Sequence, residues 1–338
     1  MSDGTLPQIG IRLSGAIDPR RCIELAQSAD AAGLASVWFA ENPFQRGVFA
    51  TAGACATATE RVRIGIGVIN PYSRHPALIA MEAAALDELT GGRVLLGVGS
   101  GIGTAVRGMG FSYDRPVTAV REAVAIIRAM LSGENATYHG RVFSTDGARL
   151  GLRPRRPELP IYTAASGEPA LRACGEIADG LIVSNLTPAR STERMAAIVA
   201  EAAAKAGRAM PRVVQYVPCV SAVDGAAARD AVKSILGDML TAFWPADGDW
   251  PKSKETLVAD SGIARHDFTV ALGRLRRGED AAAVLDDRFV EAFAIAGTTD
   301  ECLRQAMRYR AAGADELALT FAAAQTAESV AYFGRLSA

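Results

Sequence analysis

The amino-acid sequence predicts an α/β protein whose chain folds into a (β/α)8 TIM barrel. Eight short apolar runs alternate with helical patterns, and no low-complexity linker or change of composition interrupts the 338 residues. Runs this short and apolar are typical of parallel strands buried on both faces, which need helical crossovers between them. Eight such units favour one closed barrel domain over residues 1–338. An open, doubly wound sheet is the alternative.

The elements follow from the order of these patterns. The predicted strands are Ile9–Leu13, Ser36–Ala40, Val62–Ile69, Val94–Val98, Pro160–Ala164, Gly180–Ser184, Arg212–Ala222 and Glu316–Phe321. The predicted helices are Pro19–Ala32, Gly47–Ala58, Pro76–Leu89, Pro116–Leu131, Pro169–Ala178, Pro188–Ala206, Ala226–Leu240, Thr299–Ala312 and a last one from Ala327. The first helix has clear boundaries, because Asp18 suits its cap, Pro19 its first position and Gly33 its end.

Two insertions, after the fourth and seventh strands, are predicted to interrupt the alternation. Tyr138–Leu152 combines turn residues with alternating polarity, which predicts a hairpin. Phe243–Ala259 is longer than a connection needs and carries Trp244 and Trp250, which form either a lid over a site or the core anchors of a long loop. Beyond it, the sequence predicts helices and a brief apolar run at Asp267–Arg276, Ala281–Leu285 and Phe293–Gly297.

The composition excludes several classes of function. A net charge of −1 gives no attraction to nucleic acid or to an anionic membrane. No apolar run reaches the roughly 18 residues of a membrane span, and Met1–Gln8 lacks the apolar core of a signal peptide. The five cysteines lie far apart and are expected to be buried reduced thiols. We therefore expect a cytosolic protein that acts on a small-molecule substrate.

The predicted site lies where barrel strands end and helices begin. These ends hold one carboxylate, Glu41, and no histidine, and no cluster has metal-ligand spacing, so no metal site is predicted. Ser100 in GVGSG lacks the flanks of a nucleophile elbow, and Ile102 stands where a dinucleotide fingerprint needs glycine. Glycine-rich ends with few acids or bases favour a site that holds a cofactor, which performs the chemistry itself.

An anion site is predicted at Ala164–Pro169, which follows the fifth strand and opens a helix. Backbone amides at a helix N-terminus carry the positive end of the helix dipole and suit a phosphate. Gly167 removes a side chain that would block the approach. The alternative is an ordinary loop in which Ser166 caps the helix.

Three segments resemble the bacterial-luciferase-like superfamily of flavin-dependent oxidoreductases, nearest its deazaflavin-using branch, which includes methylenetetrahydromethanopterin reductase. They read GIGVINPYSRHPALIAMEAAALDELTGGRVLLGVGSG, AASGEPALRACGEIADGLIVSN and AIAGTTDECLRQAMRYRAAGADELALTF. The resemblance implies a (β/α)8 barrel with the cofactor ring over the strand ends. It also implies a non-proline cis peptide at Gly67-Val68, for which a plain β-bulge is the alternative.

The resemblance and the strand-end pattern together define the candidate site residues. The resemblance implies cofactor phosphate at Ala165–Gly167 and ring contacts near the ends of strands two to four. The predicted cofactor-binding residues are Ser14, Gly67, Val68, Asn70, Ser100, Ala165, Ser166, Gly167, Ser184 and Asn185. Glu41 and Asn42 are the predicted catalytic residues: Glu41 is the candidate proton donor, for which a solvent-facing or capping carboxylate is the alternative.

The sequence departs from its relatives on the substrate side. In the sugar-phosphate dehydrogenase of this superfamily, a histidine after strand two and an acid after strand four act in catalysis, and here Asn42 and Ile102 stand at those places. This argues against that activity. The acid that the reductase carries in strand one is replaced by Arg12 or Ser14, which puts its folate-like substrate in doubt.

The leading functional hypothesis is hydride transfer between reduced deazaflavin coenzyme F420 and an organic substrate. The alternatives are an FMN-dependent monooxygenase and a barrel that binds a flavin without turnover. Relatives are commonly dimers, and the predicted helix Pro76–Leu89 has an apolar face that suits either a partner subunit or the barrel alone.

Overall fold

The computed structural model describes residues 5–245 and 250–321, together with Val330 and Phe333. The strands are β1 (Gln8–Ser14), β2 (Ser36–Ala40), β3 (Arg63–Ile69), β4 (Val94–Val98), β5 (Ala136–His139), β6 (Ser144–Ala148), β7 (Ile161–Ala164), β8 (Gly180–Val183), β9 (Arg212–Ser221), β10 (Ile295–Gly297) and β11 (Glu316–Phe321).

The helices are α1 (Pro19–Ala31), α2 (Val48–Thr57), α3 (Pro76–Leu89), α4 (Gly103–Gly108), α5 (Pro116–Leu131), α6 (Glu168–Ile177), α7 (Ala189–Lys205), α8 (Gly225–Phe243), α9 (Lys252–Ser261), α10 (Arg265–Arg276), α11 (Ala281–Val284), α12 (Asp287–Phe293) and α13 (Thr299–Ala311). The helix predicted from Ala327 lies outside the described residues, apart from Val330 and Phe333. No helix in the described part of the chain is long and apolar enough to cross a membrane.

The hydrogen-bonding order of the strands confirms the predicted (β/α)8 barrel. The large sheet has the order β10-β9-β11-β1-β2-β3-β4-β7-β8, and an additional pairing joins β8 with β9. This pairing closes a ring of eight strands, to which β10 adds a parallel strand beside β9. The open, doubly wound alternative is therefore wrong. The predicted insertion after the fourth strand is the antiparallel hairpin β5–β6.

The described residues form two compact units, and the number of domains stays a prediction. One unit comprises Arg12–Ile182 with Ile198–Arg212, and the other contains the remainder. In the first unit, Trp38 on β2 is completely buried and meets the edge of Tyr162, with ring centroids 5.5 Å apart. A Cβ at Gly65 would lie within 2.8 Å of three indole carbons, so glycine is required there to make room for Trp38.

The second unit contains an aromatic cluster, to which the predicted insertion Phe243–Ala259 contributes two tryptophans. Trp244 and Trp250 are only 3% and 6% exposed, and each packs on Phe268, with ring centroids at 4.7 and 5.5 Å. Phe268 packs in turn on Phe289 of α12. Of the two alternatives for these tryptophans, their burial and packing support core anchors and not a lid. The five cysteines are buried free thiols, as predicted.

Candidate active site

The unit of Arg12–Ile182 and Ile198–Arg212 brings most of the predicted site residues to one edge of its sheet. These residues lie at or just beyond the carboxyl ends of β1, β2, β3, β4 and β7, which are neighbours in that order. Because the carboxyl ends of parallel strands meet at one edge, these side chains share that edge. We call them the strand-end site; its members are Ser14, Glu41, Asn42, Gly67, Val68, Asn70, Ser100, Ala165, Ser166 and Gly167.

The peptide bond between Gly67 and Val68 is cis, as the family resemblance implies, so the alternative of a plain bulge is wrong. The pairing of β3 with β4 shifts its register between Ile66 and Ile69 at the same place. A Cβ at Gly97 would lie 2.9 Å from Cγ1 of Val68, and one at Gly99 would lie 2.7 Å from its Cγ2.

The two glycines of β4 therefore make room for the Val68 side chain. The space beside both glycines is filled by protein atoms and not left for a ligand, because the Ile66 carbonyl oxygen also lies 2.5 Å from the Cβ position of Gly97. Val68 itself is only half-buried. The β3 end thus presents an apolar side chain, held by β4 from behind, which suits contact with a flat ring.

Glu41 follows β2 directly, and its side chain is 18% exposed. Arg74 donates from Nη1 to Glu41 Oε1 at 3.3 Å. Burial raises the pKa of the Glu41 carboxyl; Arg74 opposes this shift, and the charge of Glu82 adds to it. Glu41 is mostly shielded from solvent, and the cap of α2 is Gly47. The alternatives of a solvent-facing carboxylate and of a capping carboxylate are therefore wrong. Its role as a proton donor stays a prediction.

Asn42 and Asn185 each carry a buried amide oxygen without a hydrogen-bond partner among the described residues. An unsatisfied buried acceptor costs about 1–3 kcal/mol, so a donor that reached either oxygen would remove this cost. Asn42 belongs to the strand-end site. Asn185 and the exposed Ser184 follow β8 and belong to the other unit, where the Ser184 carbonyl accepts from Gln215 Nε2 at 3.3 Å.

Asn70 shapes the loop after β3. Its Oδ1 accepts hydrogen bonds from the backbone nitrogen and the hydroxyl of Ser73, at 2.9 and 3.0 Å. Gly101, with φ of +75°, packs against Asn70, because a Cβ at Gly101 would lie 2.8 Å from that of Asn70. The Asn70 side chain is therefore held by the two loops that follow β3 and β4. Ser14 ends β1, is half-buried, and accepts from the Ile17 backbone nitrogen at 3.0 Å through its carbonyl.

The segment after β7 has the features of an anion site. The cap of α6 is Gly167, and no side chain caps the helix, so the alternative in which Ser166 acts as the cap is wrong. A Cβ at Gly167 would meet nothing within 4 Å, which leaves the approach to the first amides open. Glu168 in the first turn pairs with Arg172 at 2.8 Å. Uncapped amides at a ten-residue helix can bind a phosphate.

A cavity of about 110 Å³ adjoins this segment. It is mostly apolar and is lined by Ser100, Pro116, Val117, Val120, Thr163, Ala164, Ala170, Ala173, Cys174 and Ile177. The Ser100 hydroxyl accepts a hydrogen bond from Tyr113 Oη at 3.0 Å. Ser100 thus links the β4 end with the cavity beside α6.

Sequence reasoning missed two residues of this region, Arg74 and Tyr113. Arg74 lies in the loop between β3 and α3, and Tyr113 lies between α4 and α5. Their partners, Glu41 and Ser100, are separated from them by 33 and 13 residues. The only sequence signal is that each residue lies between a predicted strand and the helix predicted after it. Among the described residues, no group of His, Cys, Asp or Glu side chains is placed to hold a metal ion.

Comparisons with known proteins agree with this geometry. The family model of luciferase-like monooxygenases matches residues 4–316. The chain is 32% identical, over 285 residues and 82% of each chain, to a 5,10-methylenetetrahydromethanopterin reductase of Methanolobus tindarius. It is also 36% identical over 205 residues to an F420-dependent glucose-6-phosphate dehydrogenase of Beutenbergia cavernae. This match covers 57% of this chain and 61% of the relative.

A solved structure shares the fold over nearly the whole length. It is the coenzyme F420-dependent tetrahydromethanopterin reductase from Methanopyrus kandleri, with a TM-score of 0.87 at 23% identity over 98% of each chain.

Proposed function

The chain belongs to the family of luciferase-like monooxygenases, and on this premise we propose that it is an F420-dependent oxidoreductase. It transfers a hydride between the reduced deazaflavin and an organic substrate. The observation that carries the proposal is the open, uncapped N-terminus of α6 at Gly167, in the same unit as the cis Gly67–Val68 peptide. The names of an F420-dependent relative and an F420-dependent solved structure support this cofactor.

The residues present fit such a coenzyme. The uncapped amides around Gly167, with the exposed Ser166 hydroxyl, suit its phosphate. Val68 offers an apolar surface to a planar ring, and the buried Oδ1 of Asn42 offers an acceptor to a ring N–H. Ser100 adds a hydroxyl at the edge of the same site.

When bound, the reduced deazaflavin supplies the hydride. The task left to the chain is to position the substrate, exclude water and handle one proton. Glu41 is the candidate for the proton, because it is the carboxyl of the strand-end site and burial raises its pKa, which favours the protonated form. Asn42 stands next to it with an amide that cannot titrate, so proton transfer at this place depends on Glu41.

The second candidate is an FMN-dependent monooxygenase, favoured by the name of the family model. Titrating the purified protein with F420 and with FMN, followed by fluorescence quenching, separates the two. We expect F420 to bind at least tenfold more tightly than FMN. Tight binding of FMN without binding of F420 would overturn the proposal.

The third candidate is a barrel that binds the coenzyme without turnover. Mixing the protein with reduced F420 and a panel of carbonyl, imine and enone compounds, and following F420 oxidation, tests this reading. We expect oxidation with at least one class of compound. Binding of F420 without oxidation by any member of the panel would favour the non-catalytic reading.

We further propose that the enzyme works in the cytosol as a homodimer. On α3, the large apolar side chains Leu78, Met81 and Leu89 are 49%, 45% and 51% exposed. Their spacing along the helix supports one apolar face that a second copy of the chain would cover. Light scattering coupled to size-exclusion chromatography tests this, with twice the chain mass expected. A monomeric mass would contradict it.

A further inference from the structure

Arg74 lies in the loop between β3 and α3, one residue before the cap of α3. Its guanidinium contacts groups from the loop after β2, from α2 and from α3. Nη1 donates to Oε1 of Glu41 at 3.3 Å, and Nε lies 3.8 Å from Oε1 of Glu82 on α3. The guanidinium carbon also stands over the ring of Phe49 on α2, 5.3 Å from its centroid. One cation is therefore shared by two carboxylates and held by an aromatic face.

Neither carboxylate forms a short ion pair with this guanidinium. Charge-assisted hydrogen bonds are typically about 2.7–2.9 Å long, and both contacts of Arg74 are longer. The two carboxylates use different nitrogens of the planar guanidinium, so both can engage it at once. Glu82 and Glu41 therefore share the same positive charge.

We propose that Arg74 is a positioning residue that holds Glu41 at the redox site, while Glu82 withdraws part of its charge so that Glu41 retains a proton to donate. The inference rests on the proposed function, in which Glu41 is the proton donor. It adds two residues, Arg74 and Glu82, that tune the donor without contact with the reacting atoms.

The proton step balances as follows for a carbonyl or imine substrate. The substrate carbon accepts the hydride that reduced F420 supplies, and the electron pair of the double bond moves to the oxygen or nitrogen. That heteroatom takes the proton from Glu41, which becomes a carboxylate. Glu41 regains a proton from solvent, which matches the proton that the oxidised coenzyme releases.

The charged groups around Glu41 determine the direction in which each variant shifts its pKa. The charged groups that act on it are Arg74 from the β3–α3 loop and Glu82 from α3, whereas α2 contributes the neutral Phe49. Burial raises the pKa of Glu41, Glu82 raises it further, and Arg74 lowers it. Removing Arg74 and removing Glu82 must therefore move the titration of Glu41 in opposite directions.

The test compares Arg74→Gln with Glu82→Gln in the full-length protein. In the alkaline limb of the pH profile for F420H2 oxidation, we expect Arg74→Gln to shift the midpoint up and Glu82→Gln to shift it down. Each shift should be roughly 0.5–1 pH unit, since the charges are partly exposed and screened. Arg74→Lys should restore most of the wild-type midpoint, because it retains the positive charge.

A matched control is Arg121→Gln, which removes a surface arginine that pairs with Glu176 between α5 and α6 in the same unit. It is expected to leave the midpoint unchanged. Shifts of the same direction in Arg74→Gln and Glu82→Gln, or no shift in either, would overturn the proposal. If Arg74→Gln fails to fold, the downward shift in Glu82→Gln still decides the outcome.

A second readout separates this inference from the proposed function. Glu41 can be titrated without cofactor by carboxyl ¹³C NMR, with its signal assigned through Glu41→Gln. Opposite shifts in this titration support the tuning by Arg74 and Glu82, even if the protein proves not to oxidise F420H2. Turnover of F420H2 with an unshifted Glu41 titration in both variants would retain the proposed function and overturn the inference.

Discussion

Replacing Gly167 by aspartate is expected to raise the free energy of unfolding of the protein and to lower its affinity for F420. Gly167 is the cap of α6, has φ of −89° and ψ of 147°, and has open space where a Cβ would lie. Any L-residue adopts this backbone conformation without strain. Aspartate is also a favoured capping residue, and its charge suits the helix dipole. The fold is therefore not at risk.

The expected size of the effect follows from charge. An aspartate at the cap occupies the amides and places a negative charge roughly 5 Å from a bound phosphate, which costs about 3 kcal/mol at an effective dielectric constant of about 20. Exposure and salt reduce this to about 1.5–3 kcal/mol, or a ten- to hundredfold loss of affinity. The cap itself should add about 0.3–0.5 kcal/mol to the free energy of unfolding.

The assay measures F420 affinity by fluorescence and stability by urea unfolding for Gly167→Asp and two controls. Gly167→Ala should change affinity less than threefold, because it adds no charge. Gly47→Asp places the same substitution at the uncapped N-terminus of α2, where a Cβ also meets nothing within 4 Å. It should gain stability and retain affinity. Equal affinities in Gly167→Asp and wild-type protein would refute the anion site at α6.

Three further predictions concern the packing at Gly65, the unpartnered amide of Asn42 and the partly buried Lys254. Gly65→Ala should lower the free energy of unfolding by about 2–3 kcal/mol in urea titrations, because its Cβ would overlap Trp38. Asn42→Ala should weaken F420 binding about three- to tenfold while leaving stability equal or higher, since a buried acceptor without a partner is removed. Burial lowers the pKa of Lys254, which stands over Trp244, from 10.5 to about 8. The unfolded chain binds more protons between these values, so stability should rise with pH across that window, and Lys254→Met should flatten this rise in thermal melts.

Sequence patterns were sufficient for the barrel because the strands are short, apolar and separated by well-marked helices. β2, β4 and α3 have the predicted boundaries, since Pro76 opens α3 and Gly91 follows its end. The short helices α4 and α12 were not predicted, because six or seven residues are too few for a periodic pattern.

The site was predictable only in part. The cis bond at Gly67–Val68 was predicted from the family resemblance alone, because no local sequence propensity indicates it. The packing of Val68 against Gly97 and Gly99 was not predicted, since the Val68 side chain belongs to the neighbouring strand and only the fold brings it there. The ion pair between Arg74 and Glu41 joins residues 33 positions apart, and only the fold decides which of the many arginines reaches that carboxylate.

The most direct test of the central claim is a crystal structure of the protein with F420 bound. The account predicts that phosphate oxygens lie within hydrogen-bonding distance of the backbone nitrogens around Ser166 and Gly167. It also predicts that the deazaflavin ring lies against Val68, with Glu41 on the substrate side. A phosphate bound away from the N-terminus of α6, or a ring that makes no contact with Val68, would contradict the account.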